Sequence, residues 1–381
     1  MTLRKERFVP AAKGKVNMFV CGPTVQGMMH MGHARTYVFY DVVARYLAHL
    51  GYRVRFVMNI TDIDERITAA ARLERSTPEG VAGRYTKLFL RDMKRLRIST
   101  VTDVERVSDF LPEMERQVAR LLDSGHAYAV DGWVYFDTST FPAFGRLSHM
   151  SKRELSLHPL ELSLKKKALT DFAIWRPEVL IEGKWSTPWG TGSPGWHIQD
   201  TAVSMTLLGD SNDLHGGAYE LIYPHHEAEI AQAESLTGKS PFVKYWVHTH
   251  LVNMEGAKMS KSAGNVFTVE DALKIASPDA LRLFLLKKHY RLDMDMSGVE
   301  SAEQELERIR SLARESRAHG DAGGGRRATL AGFHRALNDD LDVPAAITAL
   351  EAALASGASE GARKEALLLA SSVLGIDLGT L

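Results

Sequence analysis

Residues 18–36 read MFVCGPTVQGMMHMGHART. The apolar run at 16–20 stops at Cys21-Gly22-Pro23, and His30-Met31-Gly32-His33 follows before a helix-compatible stretch that runs through 37–50. Strand, tight turn and helix in that order point the free N–H groups of a helix start at a bound anion. Two imidazoles flanking a glycine suit a nucleotide phosphate there, because glycine lets the backbone approach closely. Alone, the pattern is a weak signal, and two satisfied structural histidines are its ordinary reading.

A second segment changes its weight. Lys258-Met259-Ser260-Lys261-Ser262 lies in a Gly/Ser/Lys stretch between Gly256 and Gly264. Two lysines three apart on a flexible loop can close over a polyphosphate as point charges. By itself such a loop is an ordinary solvated surface. In this order the two segments resemble the HIGH and KMSKS signatures of class I aminoacyl-tRNA synthetases. CGPTV at 21–25, NITDID at 59–64, Gly195-Trp196-His197-Ile198, His215-Gly216-Gly217 and Pro224-His225-His226-Glu227 narrow the resemblance to the cysteinyl-tRNA synthetase family. It covers roughly residues 15–290.

The resemblance implies activation of an amino acid, cysteine first, by attack of its carboxylate on the α-phosphorus of ATP with Mg2+. Positioning and charge neutralisation dominate such chemistry. His30 and His33 would donate to phosphate oxygens beside Gly32. Lys258 and Lys261, with Met259 and Ser260, would hold the departing pyrophosphate. Gly216, Gly217 and Glu220 match the stretch that holds the adenosine, and Thr61 and Trp196 fall at the substrate pocket. The family binds Zn2+ through two cysteines, a histidine and a glutamate; the matching positions here are Cys21, Asp200, His225 and Glu229. His225 and Glu229, four apart, share a face if helical. Asp200 stands where the second cysteine is expected. A carboxylate can ligate zinc but makes the site harder; the alternative is a metal-free polar pocket, or a changed amino-acid preference. Gln26-Gly27 and Ser193 depart from the family pattern near the same pocket.

With 381 residues the chain is long enough for two or three domains, and its 47 basic and 47 acidic residues balance. A local tRNA face is compatible with that balance but gains no support from it. No apolar run has membrane-spanning length, and the start lacks a signal-peptide core, which predicts a cytoplasmic protein without membrane partners. Cys21 is the sole cysteine, so no intrachain disulfide forms, and its place on the motif favours a chemical role.

The expected architecture is α/β: a doubly wound parallel nucleotide-binding sheet, Rossmann-like as in class I synthetases, split by an insertion and followed by an all-helical C-terminal bundle. The first half of the catalytic domain takes 1–99, the connective insertion 100–185, the second half 186–275, and a stem-contact segment with a truncated bundle 276–381. Strands are expected at 53–60 and 246–253, a hairpin at 127–136, helical periodicity over 65–95, and a Gly-Gly turn within 213–226. Core sequence should resume at 190–205. Gly320–Arg327 reads as a flexible link. The lysine triplet 165–167 reads as a solvated face rather than a phosphate contact. From Glu300 onward 13 acidic residues outnumber 9 basic ones, a poor surface for reading an anticodon. The acceptor is then a tRNA acceptor stem or a small amine, as in the related ligase of mycothiol biosynthesis, whose family keeps the second zinc cysteine. A non-catalytic nucleotide-binding paralogue is the third reading, disfavoured by the intact HMGH and KMSKS segments.

Overall fold

The computed structural model describes residues 1–177, 185–259, 266–315, 326–355 and 360–379. The chain forms two compact units. One comprises Met1–Gly27, Arg55–Lys87 and Thr102–Val247; the other comprises Met28–Val54, Leu88–Val101 and His248–Leu381.

The first unit is built on a five-stranded sheet in the order Val243–Thr249, Asn212–Ala218, Lys15–Val20, Arg53–Ile60, Asp103–Arg106. Lys15–Val20 runs parallel to Asn212–Ala218, and Arg53–Ile60 parallel to Asp103–Arg106. The carboxyl-terminal parts of Lys15–Val20 and Arg53–Ile60 are buried on both faces, with Val16, Met18, Phe19, Val57 and Met58 fully buried, as central strands of a covered parallel sheet require. Strand order reverses between Lys15–Val20 and Asn212–Ala218. At such a reversal the crevice beyond the carboxyl ends of the strands is the usual ligand site. Cys21 ends one of these strands and Gly216-Gly217 the other. The glycine pair, expected as a turn, instead continues the strand: Val20 faces Gly216 in register and the Cys21 N–H donates to the Gly216 carbonyl at 3.0 Å.

An antiparallel five-stranded sheet is the second layer of this unit, ordered Ala127–Val130, Trp133–Phe136, Phe172–Pro177, Gly190–Pro194, Trp185–Thr187. The expected hairpin is its first pair, with Val130 opposite Trp133 and the turn at Asp131-Gly132. Gly190–Pro194, expected to resume the core, belongs to this sheet instead. Its glycines are dictated by close approach: a Cβ on Gly192 would lie 2.0 Å from the Arg176 carbonyl oxygen. Phe19, Val57, Phe136, Phe172, Trp175, Ile198, Ala202, Ala228 and Ala231 form one core between this sheet, the parallel sheet and the helices Trp196–Leu208 and Glu227–Thr237. The lysine triplet is ion-paired, Lys165 to Asp131, Lys166 to Glu161 and Lys167 to Asp137. Lys165 and Lys167 are exposed as expected, whereas the Lys166 side chain is only 1% exposed and is a buried partner, not part of a solvated face.

In the second unit the helix expected over 37–50 begins earlier, at Met31, and runs to His49. Helical periodicity over 65–95 resolves into Glu65–Leu73 and Pro78–Arg95, with Pro78 at the head of the later helix. The strand expected over 246–253 divides into Val243–Thr249 and Val252–Met254. The C-terminal region is helical, with Pro278–Leu286, Ala302–Glu315, Arg326–Asn338, Val343–Ala355 and Glu360–Leu369. Ahead of the helices from Ala302 onward, Met294–Asp295 pairs parallel with Val252–Met254. Most of the expected 320–327 link lies outside the described residues; its last two residues, Arg326 and Arg327, start a helix. Caps set the boundaries: Ser277 accepts from the Ala280 N–H just before Pro278, and Thr268 accepts from Asp271.

Candidate metal centre and active site

The sheet's reversal point carries a buried cluster of donors. Cys21 leaves the first strand, His215 sits on the Asn212–Ala218 strand, His225 and His226 lie in the turn before Glu227–Thr237, Glu229 lies in that helix, and Asp200 lies in Trp196–Leu208. All are at most 5% exposed. The Cys21 Sγ lies 3.1 Å from His226 Nε2, 3.7 Å from His215 Nε2 and 3.9 Å from Glu229 Oε1. His215 Nε2 is 3.3 Å from Glu229 Oε2, and His225 Nε2 is 3.1 Å from Asp200 Oδ2 and 3.2 Å from Glu229 Oε1.

Two four-residue donor sets emerge, each with ligand atoms within 4.8 Å of one another: Cys21, Asp200, His225 and Glu229, and Cys21, His215, His226 and Glu229. The first is the set expected from sequence. The second adds two histidines that the sequence reading quoted within motifs but gave no ligand role. Its signal was present: His215 precedes the glycine pair and His226 is the second member of a His-His pair. What the sequence lacked was the strand register that brings His215 beside Cys21.

The environment favours a cation. Burial, followed by the Asp200 and Glu229 carboxylates, pushes the Cys21 thiol well above its ordinary range. Burial and then Asp200 push the Glu229 carboxyl up strongly, against a lowering contribution from Cys21. Burial and the neighbouring carboxylates thus disfavour the charged forms of both groups, and a divalent ion bound there would reverse that preference. Zinc bonds of about 2.0–2.3 Å at tetrahedral angles separate ligand atoms by roughly 3.3–3.8 Å, close to the distances found. The donors therefore fit zinc.

Around the cluster, Asn59 ties three elements together. Its Oδ1 accepts from the Gly22 N–H at 2.7 Å, while its Nδ2 donates to Asp200 Oδ1 at 2.8 Å and to Thr61 Oγ1 at 3.3 Å. Only glycine fits at position 22, where a Cβ would lie 1.5 Å from the Asn59 carbonyl oxygen. His197 Nδ1 lies 2.8 Å from His225 Nδ1. Burial, with smaller contributions from His225 and Arg176, drives the His197 pKa far down and keeps its ring neutral. Trp196 stacks on His225 at 4.3 Å between centroids, with the Arg66 guanidinium 5.4 Å from the Trp196 ring. Thr61 and Trp196, the expected pocket residues, thus touch the cluster's own partners.

A Cβ at Gly217 would lie 2.6 Å from Leu221 Cδ1 and 3.7 Å from the Cys21 Cβ, and Glu220 is exposed in the short turn that follows. In the second unit, His30 caps Met31–His49, its Nδ1 accepting from the His33 N–H at 3.3 Å. The two rings stack at 3.7 Å, and Gly32 leaves them room, since a Cβ there would meet the His30 ring at 3.0 Å. Lys258 ends the two-residue strand Ala257–Lys258, opposite Asn253, and Met259 follows it. Ser260 and Lys261 lie outside the described residues.

Residues 7–306 match the family model described as the class I (C) tRNA synthetase catalytic domain. The chain belongs to the cysteinyl-tRNA synthetase family. The cysteine--tRNA ligase of Heliobacterium modesticaldum is 38% identical over 369 residues, covering 92% of this chain and 77% of the relative. That of Thermococcus onnurineus is 43% identical over 312 residues, covering 81% of this chain. The chain spans 65% of the Thermococcus onnurineus relative's length. Among solved structures, a Mycobacterium tuberculosis methionyl-tRNA synthetase in complex with methionyl-adenylate superposes with a TM-score of 0.71 at 18% identity, over 95% of this chain and 92% of that one. A LeuRS–tRNA–LeuAMS ternary complex from Agrobacterium radiobacter K84 gives 0.69 at 13%, over 97% and 85%. These likenesses establish the fold, an α/β Rossmann-like core with a helical C-terminal region. No helix among the described residues is long and apolar enough to cross a membrane.

Proposed function

We propose that this chain forms an aminoacyl adenylate from ATP, with cysteine as the amino acid, and passes it to a tRNA acceptor stem. The observation that carries the reading is the buried thiol–imidazole–carboxylate cluster at the strand-order reversal of a family catalytic core. Relatives named cysteine--tRNA ligase favour tRNA over the small-amine acceptor.

In this reading His30 and His33, stacked and fixed by the cap, donate to phosphate oxygens, and Gly32 keeps the backbone accessible to them. Lys258 and Lys261 neutralise charge on the pyrophosphate as it leaves, with Met259 and Ser260 shaping the loop. Mg2+ enters with ATP as part of the substrate. Gly216 and Gly217 keep the strand end bare for the adenosine, and Glu220 offers a carboxylate to ribose hydroxyls. Thr61 and Trp196 border the amino acid. Cys21 and Glu229, common to both donor sets, anchor a divalent ion that supplies a thiophilic centre for recognising a thiol. Asn59 and His197 hold the surrounding donors in orientation.

The test is ATP–pyrophosphate exchange with a panel of amino acids, followed by aminoacylation with and without tRNA. Cysteine-dependent exchange should fall roughly a hundredfold or more in His33→Ala and in Lys261→Ala, the scale of losing one preorganised charge-stabilising group. Unchanged exchange in both folded variants refutes the catalytic reading. Robust exchange with no transfer to any tRNA transfers the proposal to the amine acceptor.

A further inference from the structure

We propose that Asp295 is a positioning residue for adenylate formation: its carboxylate clasps the Glu255-Gly256 turn and so sets where Lys258 begins the lysine segment. The inference rests on the reading above that Lys258 serves the departing pyrophosphate, and adds the group that holds its backbone in place. Val252–Met254 and Ala257–Lys258 form a hairpin in which Met254 faces Ala257, leaving Glu255 and Gly256 as a two-residue loop. Both have positive φ, 51° and 75°. That is the type I′ pattern, which favours Asn-Gly or Gly-Gly because most L side chains resist the left-handed region. Glu255 has neither glycine's missing Cβ nor asparagine's short, locally bonding side chain.

Asp295 supplies what the turn's own sequence lacks. Its Oδ2 accepts from the Gly256 N–H and its Oδ1 from the Ser297 N–H, each at 2.7 Å. One carboxylate thus ties the hairpin turn to the turn after its own strand. The N–H groups of Ser297 and Gly256, then the Ser297 hydroxyl and the Glu255 backbone, hold the Asp295 carboxyl below its ordinary range. It is therefore an ionised acceptor at neutral pH, and such hydrogen bonds are roughly twice as strong as neutral ones.

Strand register carries the clasp to the lysine. Val252–Met254 is the middle strand of a three-stranded sheet, and Asn253 pairs with Lys258 on one side and with Asp295 on the other. The Met294 N–H donates to the Leu251 carbonyl and the Met296 N–H to the Asn253 carbonyl, each at 2.9 Å. Arg35, two residues after His33, fixes the entry to the same strand. Its guanidinium donates to the His250 and Leu251 carbonyls at 3.1 and 2.7 Å and to those of His289 and Leu292 at 3.0 and 2.5 Å. Beyond the lysine segment, the Phe267 carbonyl accepts from the Met31 N–H at 3.0 Å, and the Val269 N–H donates to the Met29 carbonyl at 2.9 Å. The strand that ends in Lys258 and the helix start that carries His30 and His33 are therefore parts of one hydrogen-bonded frame. The Glu255-Gly256 turn is a joint of that frame whose own first residue resists its conformation.

The test measures ATP–pyrophosphate exchange with cysteine on the full chain, for wild type, Asp295→Ala, Glu255→Asn and the double variant that combines them. Asp295→Ala should lower kcat roughly tenfold to a hundredfold, the scale of misplacing a reacting group by about an ångström, with KM for cysteine unchanged. Glu255→Asn alone should keep the wild-type rate. In the double variant it should restore most of kcat, because asparagine takes the left-handed conformation without help from a carboxylate. A merely structural role would lower the melting temperature without producing that rescue. Amide hydrogen exchange over residues 252–258 is a readout independent of activity: it should be faster in Asp295→Ala and slowed again in the double variant. Unchanged kcat in Asp295→Ala overturns the inference, and so does a loss that Glu255→Asn fails to restore. A wild-type chain that exchanges pyrophosphate with no amino acid refutes the adenylate reading itself, and amide exchange then decides whether Asp295 clasps the turn.

Discussion

Asp41→Asn should loosen the second unit at a single point. Asp41 is fully buried and receives Arg282, Arg45 at 2.7 Å, the Thr100 hydroxyl at 2.8 Å and the N–H groups of Ser99 and Thr100 at 3.1 and 3.2 Å. Arg282, equally buried, also donates to the carbonyls of Leu374 and Leu96. One ion pair therefore joins the Met31–His49 helix, the Pro278–Leu286 helix, the segment after Pro78–Arg95 and the end of the chain. An asparagine keeps an acceptor for the backbone N–H groups but leaves the guanidinium buried without a counter-charge. Breaking such a pair from one side costs about 3–5 kcal/mol, and the retained acceptor places this case near 3 kcal/mol. The six tryptophans lie between 133 and 246, all in the first unit, so their fluorescence does not read this site. Amide hydrogen exchange does: amides of Met31–His49 and Pro278–Leu286 that open with the unit should exchange roughly 150-fold faster. Burial acts to raise the Asp41 pKa, but Arg282 and Arg45 outweigh it and bring it below its ordinary value. Its stabilisation is therefore present above the unfolded carboxylate range near pH ~4 and is lost as pH falls through the lower folded value. The gap between wild type and variant should be constant at neutral pH and shrink below about pH 4. Less than about a tenfold change in exchange at pH 7, on the same factor-of-ten scale per ~1.4 kcal/mol, refutes the view that this pair holds the unit together.

Gly22→Ala should destabilise by more than about 4 kcal/mol and prevent soluble expression, because its Cβ would sit 1.5 Å from the Asn59 carbonyl oxygen. Gly83→Ala is the matched control: it lies exposed in Pro78–Arg95 with nothing within 4 Å of a Cβ, and thermal melting should show a gain of about 0.4–1 kcal/mol. Metal affinity should fall steeply with acid, since binding must deprotonate two groups whose pKa values burial raises, Cys21 and Glu229. Competition with a chelator should give up to about a hundredfold per pH unit, and a flat profile would show that the thiol is not a ligand.

Much of this was legible because local chemistry and fold agree. The 53–60 strand and the hairpin at 127–136 follow from apolar runs and an Asp-Gly turn. The misreadings share a cause: tertiary contact overrode local propensity. Gly216-Gly217 looks like a turn, yet the neighbouring strand captures its backbone and keeps it extended. Gly190–Pro194 reads as the Gly/Pro-rich entry to the resumed core, but its glycines permit strand pairing in the antiparallel sheet, against backbone that a side chain at Gly192 would obstruct. For the site, the family resemblance pointed to His225 and Glu229, and their interval of four is compatible with one helical face. His215 and Asn59 fall within quoted motifs, but their roles needed the fold, because their partners lie 194 and 141 residues away, at Cys21 and Asp200.

Asn59 shows why Asp200 is more than one ligand exchanged for another. The same side-chain amide that reads Gly22 after the first strand also holds Asp200 on the Trp196–Leu208 helix. A carboxylate accepts that N–H strongly, whereas a thiol at this position would be a weak acceptor. Placing Asp200 therefore binds the residue toward Asn59 and, through its second oxygen, toward His225 and His197. The protein gains a rigid polar chain on one side of Cys21, and the imidazoles of His215 and His226 stand on the other.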